Sequence, residues 1–447
     1  MEYKGINNGV EDIFTPTPKT IYTALSERTG FYIPSYQRQY DWDKDAQSNI
    51  GKLFKSVKAG MFSEDLSALV FFGAVVLVND NSGNNVEPKD PITMPSHISI
   101  VVDGQQRLTT FTLIAAQLYG LLSKTYDAIY KQYRELMQKN SVKILYLEQL
   151  RSIYKTAADR LRSLKFSMHQ ICLFNSVGSP RNAATYDLYP RIIRYHEDCW
   201  STDEEKAKYT SAVSDYLFRH LDNAKYEGIL TSGLKVMKKC IDGILRSDEF
   251  DIASADENSH FRHYLLAKNF NQLDLQLLEE SRDNHTKLKQ ALRLMFLAEF
   301  VLHRCAFTMI TVNKESYEYE IFQALNTTGE PLNAIQTFKP SVTRYLGSDS
   351  FNQSQEYRYF EDIERMMNTK SKSADKALDL TLLSMSWIFA GNAIVSNLKS
   401  QRQCLINAYE KIDVDDSQRR LDFVKTLHAY LSFCHRCETW RAEREVE

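Results

Sequence analysis

Apolar positions fall at helical spacing in Ile21, Tyr22 and Leu25, which predicts a helix over 19–29, and FYIP at 31–34 reads as a short strand stopped by Pro34. Residues 43–60 put Ile50, Leu53, Phe54 and Val57 on one face and predict a second helix, with Asp43 or Asp45 available to cap it. ALVFFGAVVLV at 68–78 is an unbroken run rich in Val and Phe, so it predicts one or two buried strands, ended by the NDNSGNN turn cluster. HISIVV at 97–102 predicts another strand. Directly after Asp103-Gly104 the period changes, because Leu108, Phe111, Ile114, Ala115, Leu118 and Leu122 recur at helical spacing. A strand therefore passes through a tight turn into a helix whose apolar stripe faces a core.

Farther on, charged helical pattern covers 124–165 and 205–305, with a loop-rich stretch at 174–200 between them. A strand returns at AFTMITVN, 306–313, followed by a helix at ESYEYEIFQAL and the turn NTTGEPL. Residues 350–447 read as helical again, with an SKSADK linker near 371–376. The expected class is α+β: a small mixed α/β domain over 1–128, a large helical region over 129–305, a strand-helix-turn segment over 306–345 that returns to the first domain, and a helical domain over 346–447.

Composition adjusts this picture only slightly. The 447 residues hold 43% hydrophobic and 25% charged side chains with 16 Gly and 10 Pro, as an ordered, helix-rich protein does. A formal net charge of -2 means that any nucleic-acid contact has to come from a local basic patch. Seven scattered cysteines form no disulfide framework, so reduced thiols and a cytoplasmic location are expected. The N-terminal MEYKGINNGVEDIFTP lacks the apolar core of a signal peptide, and no run reaches the roughly 20 residues of a membrane span.

The chemistry concentrates in three stretches. At VVDGQQRLTT a helix start offers unpaired N–H groups and a partial positive charge, which suits phosphate. Gln105 and Gln106 each donate and accept, so they can orient a water or a base. Arg107 can grip phosphate bidentately, and Thr109 and Thr110 add hydroxyls. The P-loop pattern is absent. A plain capped helix start explains the same residues. IPSYQRQYDW at 33–42 gathers Tyr36, Gln37, Arg38, Tyr40 and Trp42, where aromatics could stack on a base or simply close the end of a sheet. LNTTGEPL at 325–332 is a polar turn in which Gly329 also suits a C-cap.

Together and in this order, Tyr-Gln-Arg-x-Tyr-x-Trp, Asp-Gly-Gln-Gln-Arg-Leu-Thr-Thr and Leu-Asn-x-x-Gly-x-x-Leu resemble the N-terminal domain of GmrSD-type modification-dependent restriction systems, over about residues 15–345. The resemblance implies a fold related to ParB and sulfiredoxin, and an NTP-binding and NTP-hydrolysing subunit that senses modified phage DNA and regulates a nuclease. It implies Asp103, Gly104, Gln105, Gln106 and Arg107 as the nucleotide site, joined by Gln37 and Arg38 and closed by Asn326, Thr327 and Gly329, with Mg2+ arriving on the polyphosphate. Where relatives carry an aspartate before a lysine this chain has AIQTFKP, so no role passes to Lys339.

Fused relatives carry an HNH-type nuclease, but residues 346–447 hold only His428 and His435, in helical pattern, so the nuclease is expected as a separate subunit or a further domain. CHRC at 434–437 has no second pair for zinc, and His260 with His263 reads as a solvated helix face. For DNA, Arg151, Lys155, Arg160 and Arg162 on one helix, and Arg191 and Arg194 in the loop-rich stretch, are the candidate phosphate contacts, with a solvated charged face as the alternative. A nucleotide-gated DNA-binding or scaffold protein without turnover is the competing function, and a homo-oligomer is compatible with either.

Overall fold

The structure, a computed structural model, describes residues 14–27, 29–43, 45–79, 97–139, 144–175, 188–194, 197–200, 208–221, 226–250, 260–271, 274, 276–277, 285–312, 321, 333–367, 372–391 and 398–444. The chain forms two compact units, one of residues 1–33 with 39–315 and one of 34–38 with 316–447.

In the first unit the elements run β1 (Phe14–Thr20), α1 (Ile21–Ser26), β2 (Thr29–Ile33), α2 (Ala46–Met61), β3 (Val70–Asn79), β4 (His97–Asp103), α3 (Gln105–Gln138), α4 (Ile144–Cys172), β5 (Ile192–Arg194), α5 (Ala212–Leu221), α6 (Thr231–Leu245), α7 (His260–Ala267), α8 (Thr286–His303) and β6 (Cys305–Val312). Six strands make a mixed sheet in the order β1-β6-β3-β4-β2-β5. β4, β2 and β5 are parallel neighbours, so Asp103, Ile33 and Arg194 finish at one edge. β3 lies antiparallel to β4 and parallel to β6, and β1 closes the far side antiparallel to β6.

One sheet face, with Phe31, Ile33, Val75, Leu77, Val101 and Phe307, joins the helices in a single core. The alternate residues Tyr32, Val76, Val78, Ile100 and Val102 are buried as well, which accounts for the unbroken apolar runs. The stripe read along α3 is that core's spine: Leu108, Phe111, Ile114, Ala115, Leu118 and Leu122 are all buried, each large one contributing about 1.5–3 kcal/mol. α3 and α4 pack as a helical hairpin, and the Arg151 guanidinium closes it by donating to the Leu136, Met137 and Lys139 carbonyls.

The sequence expectations need three corrections here. The loop-rich stretch contributes a strand to the main sheet, β5, and two small ladders pair 173–175 with 188–190 and 198–199 with 208–209. α2 starts after Asp45, whose side chain makes no capping bond, and Asp43 caps α6 instead. In the second unit, residues 372–376 of the supposed linker are the first turn of a helix.

That unit contains α9 (Ala334–Leu346), α10 (Ser348–Gln353), α11 (Gln355–Met367), α12 (Lys372–Ala390), α13 (Leu398–Glu410) and α14 (Ser417–Arg444) around Phe338, Phe351, Phe360, Tyr409 and Phe423. Asn333 and Gln336 form a capping box at the start of α9. Lys339 is buried in an ion pair with Glu364 at 2.7 Å, a structural use of this lysine. Arg420 sits in the corner formed by the near-perpendicular Tyr345 and Tyr409 rings, 4.1 and 4.6 Å from their centroids. The helix expected at ESYEYEIFQAL falls outside the described residues except for position 321.

Candidate functional site

Strand, turn and helix stand where the sequence puts them. β4 ends at Asp103, Gly104 turns the chain at φ 93°, and α3 begins at Gln105. Only glycine fits the turn, because a Cβ there would lie 2.8 Å from Val75 Cγ2 in an already left-handed backbone. The Arg107 Nη2 donates to Asp103 Oδ2 at 2.9 Å, one helical turn back, and Nη1 donates to the Phe72 carbonyl at 3.2 Å. Arg107 therefore lies flat against β3, in a slot left open by Gly73: a Cβ at that position would come within 2.5 Å of Nη1. The bulge at Gly73, with φ 84°, is what admits the arginine.

The next residues hold the chain that follows β2. Gln106 accepts from the Asp41 backbone N–H at 3.0 Å and donates to the Gln39 carbonyl at 3.0 Å, so both ends of its amide are engaged. Thr110, fully buried, donates to the Gln106 carbonyl and shares a 2.9 Å hydrogen bond with the Tyr40 hydroxyl. Burial pushes the Tyr40 phenol well above its ordinary pKa, so it remains a neutral hydrogen-bonding group. Two residues on, the Asp43 carboxylate accepts from the Ser232 hydroxyl and the Gly233 N–H at the start of α6. Residues 39–43 thus form a strap pinned to two helix starts.

Beside the strap, Gln105 and Thr109 line a cavity of about 30 Å3 together with Tyr40, Arg194, Asp198 and Ser211. That is about the share of liquid volume of one water molecule. Asp198 is buried and accepts from the Arg194 and Ser211 backbone N–H groups, each at 3.0 Å, and burial raises its pKa above the ordinary carboxylate value. Glu197 accepts from Gln39 at 2.8 Å and from Arg194 at 3.1 Å. These carboxylates went unnoticed in the sequence, although the acidic pair before Cys199 was a signal. Gly73 was another, since a lone glycine inside a strand run marks close backbone approach. A much larger cavity, about 460 Å3, opens at the opposite strand ends between Lys19, Glu27, Asn79 and His97, away from the motif.

Tyr36 and Gln37 are buried, Arg38 is half-buried, and Gln37 donates its backbone N–H to the Pro34 carbonyl at 3.1 Å. Asn326, Thr327 and Gly329 lie outside the described residues. Of the DNA candidates, Arg191 is buried with its guanidinium on the Gln170, Glu27 and Thr29 carbonyls, and burial lowers its pKa to about 10. It has no face to offer a phosphate. Arg194 belongs to the cavity and Arg151 closes the helical hairpin; Lys155 and Arg162 are exposed and Arg160 is half-buried on α4.

The model of the GmrSD restriction endonuclease N-terminal domain matches residues 21–343. The chain belongs to the GmrSD family. Membership places this GmrSD-type domain in a restriction system that targets DNA and works with a nuclease. No curated protein matches the chain. Among the described residues no helix of this GmrSD-type domain is long and apolar enough to cross a membrane, and no group of three His, Cys, Asp or Glu side chains gathers as a metal site. None of the seven cysteines, all among the described residues, forms a disulfide.

Proposed function

We propose that this GmrSD-type domain binds a nucleoside triphosphate at the start of α3, hydrolyses it, and uses that cycle to couple recognition of modified phage DNA to the action of a nuclease in another subunit or domain. The observation that carries this reading is the Asp103-Gly104-Gln105-Gln106-Arg107 turn itself. It joins a helix start to an arginine that stays partly exposed, with a side-chain accessibility of 25%, and whose direction is fixed by Asp103 and the Phe72 carbonyl.

Arg107 supplies charge for the phosphates, Gln105 and Thr109 hold the small cavity beside the strap, and Gln106 and Thr110 position the strap that carries Gln39 and Tyr40. Gln37, Arg38, Asn326, Thr327 and Gly329 are the further nucleotide contacts that the family implies. Mg2+ fits only as a companion of the polyphosphate, with Asp103 as the carboxylate within reach, because ions of this kind are held by one or two carboxylates and the phosphates. On α4, Lys155 and Arg162 are the exposed phosphate contacts for DNA, with Arg160 beside them.

The engagement of Asp103 by Arg107 favours a second reading, a nucleotide switch without turnover, since the turn's own carboxylate is held by a guanidinium and is a poor base. Binding of a fluorescent non-hydrolysable nucleotide and phosphate release from each of the four NTPs, with and without modified DNA, separate the two. Turnover that falls at least about tenfold in Arg107→Ala supports hydrolysis at this turn. Tight binding without phosphate release supports the switch, and no binding of any nucleotide overturns both.

A further inference from the structure

At the end of the sheet where the Asp103-Gly104 turn stands, β3 outruns one of its neighbours. It begins at Val70 and pairs with β6 from there on, whereas its pairing with β4 starts only at Val76, opposite Asp103. On this overhang the Phe72 carbonyl is taken by Arg107, which is why the guanidinium lies along β3. The Phe72 ring turns inward and meets Phe111 edge-on in the core, at a centroid distance of 4.9 Å. Its neighbours Phe71 and Gly73 are both exposed, so they share the outer side of the strand. Gly73 is bare against the guanidinium, and Phe71, two residues before it, is 59% exposed.

A single exposed apolar side chain is ordinary, and what sets Phe71 apart is its place. The aromatic side chains that the sequence offers for stacking are committed elsewhere: Tyr36 is buried, the Tyr40 hydroxyl is bonded to Thr110, and Trp42 packs against the core. Phe71 is the most exposed of these rings. Even with the exposed Leu66 and Leu69 ahead of it, this apolar surface is well below the about 800 Å2 that a protein partner covers, whereas one ring matches one planar heterocycle.

We propose that Phe71 is the platform on which the base of the nucleoside triphosphate stacks, with the phosphates at Arg107 and the start of α3. The inference rests on the nucleotide reading above and adds the residue that grips the nucleoside end. A phosphate and a base have opposite needs, and β3 meets them two positions apart, with charge over Gly73 and an open aromatic face at Phe71. Two strand positions span roughly 7 Å, on the scale of the sugar that separates a base from its phosphates. Because residue 73 has no side chain, nothing of β3 stands between the ring and the guanidinium.

Titration calorimetry of the full chain with Mg2+ tests this by comparing non-hydrolysable analogues of the four NTPs with inorganic tripolyphosphate, which carries the charge without the base. Phe71→Ala should weaken the analogue that the wild type binds tightest at least about fivefold and leave tripolyphosphate unchanged, with unchanged circular dichroism. Phe71→Tyr should keep wild-type binding of both. Arg107→Ala should weaken both probes, and the added emission of Phe71→Trp should be quenched by the analogue and not by tripolyphosphate. A Phe71→Ala chain that binds the analogue like the wild type, or that loses both probes alike, overturns this proposal alone. A wild type that binds neither probe, or an Arg107→Ala chain that binds both like the wild type, overturns the nucleotide reading and the proposal with it.

Discussion

Both units bury polar side chains, and they differ most in how densely large apolar side chains stand at the surface. In the first, polar side chains are drawn inside and spent on backbone: Gln106 holds residues 39 and 41, Asp43 holds the start of α6, and Arg191 holds three carbonyls. In the second, large apolar side chains stand outside, with Leu380, Trp387 and Phe433 facing solvent. Buried polar groups and exposed apolar patches are the informative exceptions to burial, and they report different things. The first unit has fixed the geometry of an edge where three strands end, at the cost of removing those side chains from solution. The second keeps large apolar side chains at its surface, where they add little to its own fold.

Substitutions should expose this contrast as a gradient. Gly104→Val should cost the most, about 3 kcal/mol in urea unfolding, since it combines a left-handed backbone with overpacking against Val75. An unchanged midpoint would mean the turn is not rigid. Gln106→Leu should lose about 2 kcal/mol by orphaning the Asp41 N–H and the Gln39 carbonyl. Asp43→Ala should lose about 1 kcal/mol as a helix cap, with Asp43→Asn recovering most of it.

Acid should act on the first unit through its histidines. Burial holds His169, His220 and His285 below their ordinary pKa of 6.5, so the fold prefers them neutral. Their contribution is complete above pH 6.5 and is lost as pH falls through the lowered values, so the melting temperature should be lower by a few degrees at pH 5 than at pH 7.5. A flat profile between those pH values would remove the histidines from the account. Last in size, Trp387→Ser should leave the unfolding midpoint within about 0.5 kcal/mol, because an exposed ring on the second unit contributes little to its own fold. A large loss there would collapse the distinction between the units.

Much of this was readable in the linear chain where the signal is local. The strands at 31–33, 97–102 and 306–313, and the passage from Asp103 through Gly104 into a buried helical stripe, follow from periodicity and turn chemistry alone. What escaped is set by partners distant in sequence. Asp43 precedes one helix yet caps another 188 positions on, at Thr231. Residues 192–194 are too few to show a period, and they become a strand only because β2 offers them an edge. Ser and Lys at 371–376 read as a linker, although Ser373 and Asp375 suit a first helical turn equally well. In the site, Gln105, Gln106 and Arg107 look alike in sequence, but the fold gives one to a cavity, one to a strap and one to an ion pair.

The slot at Gly73 ties two positions that no motif connects. As long as an arginine occupies position 107, the facing strand must stay bare at position 73, and a side chain can be tolerated there only if the guanidinium is shortened or withdrawn. Diversification of this domain should therefore change the two sites as a pair, and a lone replacement at 73 should mimic the loss of the arginine while leaving the DGQQR signature intact.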